Sequence, residues 1–66
     1  MTRNEFVDYV VRKLKRAISE TEQIIRDGDY FNGLGKGPPL DLEQHRVDLH
    51  KLKQCLAKFI SDNPKD

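Results

Sequence analysis

Few residues in this chain have side chains suited to catalysis or metal binding. They are one cysteine, Cys55, and two histidines, His45 and His50. The histidines are five residues apart, so on a helix they point to different sides and do not form an i,i+4 metal pair. No base or oxyanion site accompanies Cys55, which is better explained as a small buried hydrophobe. We therefore expect no catalytic residue, no metal site and no cofactor, and predict that the protein is not an enzyme.

A glycine-rich run, Gly33-Leu34-Gly35-Lys36-Gly37, has the composition of a phosphate cradle. No predicted strand precedes it, and the P-loop pattern G-x-x-x-x-G-K-[ST] is absent. Two prolines, which donate no N–H, follow it before the next helix. The run is therefore interpreted as a loop that needs glycine dihedral angles to turn the chain.

Charge is unevenly distributed along the chain, although twelve Lys and Arg against eleven Asp and Glu give a net charge of only +1. Residues 3–16 hold five bases and two acids, net +3, and residues 17–31 hold one base and four acids, net −3. The basic cluster is Arg12, Lys13, Lys15 and Arg16. Three interpretations stay open: these side chains contact nucleic-acid phosphates, they form a solvated face, or the +3 and −3 ends meet across a dimer in an antiparallel pairing and fix its orientation.

Two helices must position these residues. A capping box, Thr2 with Glu5, predicts the start of helix 1, and Gly28 is a natural left-handed residue at its end. Asp41 predicts the start of helix 2 after Pro38-Pro39, and Pro64 forbids its continuation. The predicted ranges are about 3–27 for helix 1, 28–41 for the loop and about 42–61 for helix 2.

Apolar residues recur at steps of three and four in both helices, which predicts packed faces. The resulting core and dimer seam comprises Val7, Val10, Leu14, Ile18, Ile25, His45, Leu49, Leu52, Leu56 and Phe59. The two stripes are too wide to cover each other in an isolated hairpin. We therefore predict an all-α antiparallel two-helix hairpin with a long ordered Gly/Pro loop, which dimerises into a four-helix bundle.

Composition limits the class of protein. The chain has 66 residues, of which 36% are apolar and 35% charged, so it forms one small domain. No run approaches the roughly 18 consecutive apolar residues of a membrane span. A single cysteine excludes an internal disulfide framework, and the charged first 20 residues contain no secretory signal. The expected location is the cytoplasm.

The segment from Ile25 to Leu42 resembles a bacterial domain family of unknown function, the conserved domain of the DnaJ homologue subfamily C member 28. The matching positions are Arg26, Gly28, Tyr30, Asn32, Gly35, Gly37, Pro39 and Leu40. The departures are Phe31, Gly33-Leu34 and Pro38. This resemblance implies an ordered loop and a chaperone-associated or assembly context, and it carries over no catalytic residue.

A second resemblance is architectural. The last helix contains Cys55-Leu56-Ala57-Lys58-Phe59, and the 66-residue hairpin is similar to the Rop family of RNA-binding four-helix-bundle dimers. That likeness implies RNA lying across the paired first helices, with Arg12, Lys13 and Arg16 as its contacts. The loop predicted here is longer than the short hairpin loop of that family.

Two functions therefore stand as hypotheses. The first is a non-enzymatic protein–protein interaction or regulatory module, a homodimeric hairpin that docks a protein partner of unknown identity through its loop. The loop residues expected to bind are Tyr30, Phe31, Leu34 and Lys36. The alternative is a small RNA- or DNA-binding regulator that uses the basic cluster of helix 1.

Overall fold

A computed structural model describes residues 1–64 as a helical hairpin. Helix α1 spans Arg3–Leu34 and helix α2 spans Glu43–Asp62, and this part of the chain contains no strand. The predicted all-α two-helix hairpin is therefore confirmed.

The capping box begins α1 as the sequence predicts. The backbone N–H of Glu5 donates to the Thr2 hydroxyl at 3.1 Å, and the Thr2 backbone N–H donates to the Glu5 carboxylate at 3.1 Å. These two bonds satisfy donors that have no partner inside the first turn of a helix.

The predicted end of helix 1 at residue 27 was wrong, because α1 continues through Gly28 and ends at Leu34. The left-handed residue at its C-terminus is Gly35, with φ of 65°, and its N–H donates to the Asn32 carbonyl oxygen at 3.3 Å. Gly28 serves a different purpose. A Cβ atom there would lie 2.6 Å from Cδ2 of Leu42, so the bare backbone makes room for that side chain. The contact offsets the roughly 1 kcal/mol that a helical glycine costs.

The connection is correspondingly shorter than predicted, since it covers residues 35–42 and not 28–41. Its length falls within the ordinary range for helical hairpins. The Asn32 side chain closes it by accepting from the Leu40 N–H at 2.7 Å and donating to the Leu40 carbonyl oxygen at 3.1 Å. The loop is therefore fixed to the last turn of α1 at both backbone groups of one residue.

Helix α2 begins close to its predicted position. The Asp41 carboxylate accepts from the Glu43 N–H at 3.0 Å, while Leu42 occupies the N-cap position, where it has no side-chain hydrogen bond. At the other end the Asn63 N–H donates to the Phe59 carbonyl oxygen at 3.0 Å. Asp41 thus satisfies one N–H donor of the first turn of α2. The Leu42 side chain takes no part in capping and packs against Gly28.

The hairpin has one layer and a thin core. Its principal dimensions are 52 × 17 × 12 Å, so its thinnest dimension is about the diameter of one helix. Among residues 1–64 the apolar side chains that become buried are Val7 and Leu42, at 4% and 7% exposure. Stable domains usually close a core between two layers of helices or sheets. This chain supplies one.

Candidate interaction surfaces

On one face of the hairpin, ion pairs connect the two helices. Asp29 Oδ1 lies 2.9 Å from an Nη atom of Arg46, and Glu22 Oε2 lies 3.9 Å from Nζ of Lys53. The two acids are seven residues apart on α1, and the two bases are seven residues apart on α2. The two ion pairs therefore lie on the same side of the hairpin, about two helical turns from each other. We call this side the ion-pair face. Farther along it, Ile60 lines a groove with Val11 and Lys15.

The opposite side of α1 carries apolar residues. Ile24 and Phe31 each lie two positions after an acid of the ion-pair face, which places them about 200° around the helix from it. With Val10 and Ala17 they form a line of side chains at seven-residue spacing, here called the apolar line. Ile24 is 47% exposed and Phe31 is 39% exposed. Helix α2 therefore covers this part of the stripe poorly.

Residues of α2 and the loop extend this surface. A shallow groove beside Ile24 and Phe31 is also lined by Leu40, Leu42 and His45, and the acids Asp27 and Asp41 lie at it as well. Nearer the middle of the hairpin, a second groove is lined by Thr21, Asp48, Lys51, Leu52 and Cys55. We call the combined surface, consisting of the apolar line and these two grooves, the apolar face. The ion pairs that join α1 to α2 lie on the other side.

The predicted partner-binding residues lie mainly on α1 and not in the loop. Tyr30, Phe31 and Leu34 belong to the last turns of the helix, and only Lys36 is in the connection. All four are exposed. Being helical, they point in different directions: Phe31 joins the apolar line, and Tyr30 lies about 100° away from it. They do not form the single loop surface that the sequence predicted.

The four bases of the predicted cluster are all exposed on α1. Arg12, Lys13 and Arg16 line a groove with Tyr9, and Lys13 Nζ lies 5.5 Å from the centroid of the Tyr9 ring. We call Tyr9, Arg12, Lys13 and Arg16 together the basic surface. Arg16 also forms an ion pair with Glu20, with Nε and Oε1 3.1 Å apart. Lys15 lies elsewhere, in the groove beside Ile60.

Most of the predicted seam residues are only partly buried in the hairpin. Val7 is buried and the other nine, including His45, are half-buried. Cys55, expected to be a buried hydrophobe, is exposed, because it lies on the apolar face, which nothing in the hairpin covers. No group of three or more His, Cys, Asp or Glu side chains in residues 1–64 is placed to hold a metal ion.

Neither helix within residues 1–64 has an apolar stretch long enough to cross a membrane.

No protein-family model, no curated protein and no solved structure matches the chain.

Sequence reasoning missed three residues that shape these surfaces. Asn32 anchors the loop, and its only signal was its position just before the glycine run. Gly28 was interpreted as a helix end because glycine is common there, whereas a close helix contact requires the same residue. Tyr9 falls on the basic surface because it precedes Arg12, Lys13 and Arg16 by three, four and seven residues. That spacing could have indicated it.

Proposed function

We propose that this protein is a non-enzymatic interaction module whose first partner is a second copy of itself, bound through the apolar face. One observation carries the proposal: Ile24 and Phe31 stay exposed on a hairpin that buries little of its own apolar stripe. Scattered surface apolar residues are ordinary, but two large exposed ones on one line of a helix, continued by half-buried Val10 and Ala17, indicate an interface.

A second copy is the occupant that the architecture favours. Two single-layer hairpins stacked on their apolar faces form the two layers of a four-helix bundle. The polar ion-pair face of each copy would remain in water. Half-buried seam residues such as Leu52 and Phe59 would then complete the core that one copy leaves open.

The test compares two exposed β-branched residues that differ in position. Ile24→Ser removes an apolar side chain from the apolar face, and Val47→Ser removes one from α2 outside the residues that line that face. We expect the first to weaken self-association at least tenfold, measured by sedimentation, and the second to leave it unchanged. Equal dissociation constants for both variants and the parent chain would contradict the proposal.

A nucleic-acid-binding role is the second candidate, and the basic surface supports it. Tyr9 offers an aromatic ring for stacking next to Arg12, Lys13 and Arg16, which can contact phosphates. The surface lies largely outside the apolar face, so dimerisation would leave Tyr9, Arg12 and Arg16 accessible and present them twice. Glu20 opposes it by neutralising Arg16.

Titration with mixed-sequence single-stranded RNA at increasing salt tests this candidate. Replacing both Arg12 and Arg16 by Gln should lower the affinity and reduce the salt slope by about 1.4 per hairpin, since each phosphate contact on a single strand contributes about 0.7. Replacing Lys36 and Lys58 by Gln changes the charge equally, leaves the residues that line the apolar face unchanged and is the control. Equal loss of affinity in both double variants would show a non-specific charge effect and contradict binding by the basic surface.

A further inference from the structure

Helix α1 has a sequence pattern that matches itself when a second copy runs antiparallel. We infer that the dimer is a two-fold antiparallel pairing of α1 with α1, with the axis beside residues 20 and 21. This inference rests on the proposed self-association and adds its orientation and register.

The apolar line supplies the first part of the match. In this register Val10 lies opposite the partner's Phe31, and Ala17 lies opposite the partner's Ile24. Each contact pairs a smaller side chain with a larger one, which is how facing helices fill space without overlap. The two residues of the line that are most exposed in the hairpin, Ile24 and Phe31, are the two that acquire such partners.

A neighbouring line supplies the second part. Its members lie three residues after, or four before, members of the apolar line, so they flank it on one side. We call it the rim line, and it consists of Phe6, Lys13, Glu20, Asp27 and Leu34. Phe6 is 53% exposed and Leu34 is 45% exposed, although both are large apolar side chains.

On the rim line, antiparallel pairing places apolar residues opposite apolar residues and bases opposite acids. Phe6 lies opposite the partner's Leu34, and Lys13 lies opposite the partner's Asp27. Both contacts occur twice because the axis is two-fold. In this register residues 12–16, which hold four bases, lie opposite residues 25–29 of the partner, where two acids and one base give a net charge of −1. A parallel pairing would instead place Lys13 beside Lys13 and Asp27 beside Asp27.

The centre of the rim line is the one unfavourable point. Glu20 meets the partner's Glu20 near the axis, and like charges there oppose association. Within each hairpin, Arg16 lies 3.1 Å from the Glu20 carboxylate and reduces the repulsion. The pattern therefore has two favourable ends and a centre where Arg16 offsets only part of the repulsion.

Charge reversal tests the register. Lys13→Glu and Asp27→Lys each convert two attractive contacts into two repulsive ones, so each should raise the dimer dissociation constant by on the order of tenfold. The double variant restores opposite charges and should return the constant to within about threefold of the parent chain. Lys36→Glu changes net charge as Lys13→Glu does, but at the loop, and should have no effect.

Disulfide trapping provides a second readout in chains where Cys55 is replaced by Ser. Glu20→Cys should cross-link to itself. Lys13→Cys and Asp27→Cys should cross-link when mixed, and each alone should cross-link poorly. Efficient self-linking of Lys13→Cys would overturn the antiparallel arrangement.

These experiments distinguish a failure of the inferred register from a failure of self-association itself. A parent chain that dimerises while the double variant stays as weak as the single ones contradicts the register and leaves self-association intact. A parent chain that stays monomeric at every concentration contradicts both.

Discussion

Gly28 and Gly33 are both helical glycines, yet their surroundings differ. Leu42 fills the space where a Cβ atom of Gly28 would lie, whereas no atom comes within 4 Å of the corresponding position at Gly33. Glycine is therefore required by packing at one position only.

Substitution by alanine should accordingly change stability in opposite directions. Gly33→Ala should raise the free energy of unfolding by up to about 0.5–1 kcal/mol, because alanine favours helix. Gly28→Ala displaces buried Leu42, and overpacking of this kind costs about 1–3 kcal/mol, which exceeds the helix gain. Urea denaturation followed by circular dichroism measures both. A stabilised Gly28→Ala chain would show that Leu42 does not hold the loop end against α1.

Glu20 is the residue whose charge the inferred dimer tolerates least. Glu20→Gln removes the like-charge contact at the axis while retaining the size of the side chain. Loss of the exposed pair with Arg16 costs little, since such pairs contribute about 0.3–0.5 kcal/mol. We expect tighter self-association, by about two- to fivefold in sedimentation experiments. Asp62→Gln is the control and should leave self-association unchanged. Weaker self-association of Glu20→Gln would argue against an axis at this point.

At the scale of the elements, the Asn32 side chain decides how the loop returns to α2. Its two hydrogen bonds to Leu40 hold a short connection that contains two prolines. Fixing this connection also positions Leu42 over Gly28, so the loop and the helix contact depend on each other.

Asn32→Ala should therefore lower the free energy of unfolding by about 1–2 kcal/mol. Asn32→Asp retains the acceptor for the Leu40 N–H and loses only the donor, so it should cost less. Thermal unfolding of the three chains at one protein concentration measures the order. Equal stability of the alanine variant and the parent chain would show that the loop is held by other contacts.

The helices themselves were largely predictable from the sequence, and their junction was not. The Thr2–Glu5 capping box and the stop at Pro64 are local signals, so α1 begins and α2 ends within a residue or two of their predicted positions. The predicted end of α1 depended on Gly28, whose role is decided by a contact with Leu42, fourteen residues away. Such contacts follow from the fold and leave no local pattern.

The same reason explains which surfaces could be predicted. Spacing identified the apolar stripe of α1 and the basic residues beside it. It did not show that α2 covers one side of the stripe, where Asp29 and Glu22 pair with Arg46 and Lys53, and leaves Ile24 and Phe31 on the other. The division of the stripe into a covered and an uncovered side emerges only when both helices are in place.

At the scale of the whole molecule, the hairpin is too thin to enclose a core. A layer 12 Å thick exposes both of its faces: one carries ion pairs between the helices, and the other carries the exposed apolar side chains of Ile24 and Phe31. We propose that a second copy covers the apolar face and contributes to the stability of each hairpin.

Sedimentation equilibrium across a wide range of protein concentrations tests that claim most directly. One chain has a mass of 7.7 kDa, so we expect about twice that mass at micromolar concentration, with dissociation and loss of helical signal on dilution. A single 7.7 kDa species that stays folded and unfolds cooperatively at every concentration would contradict it.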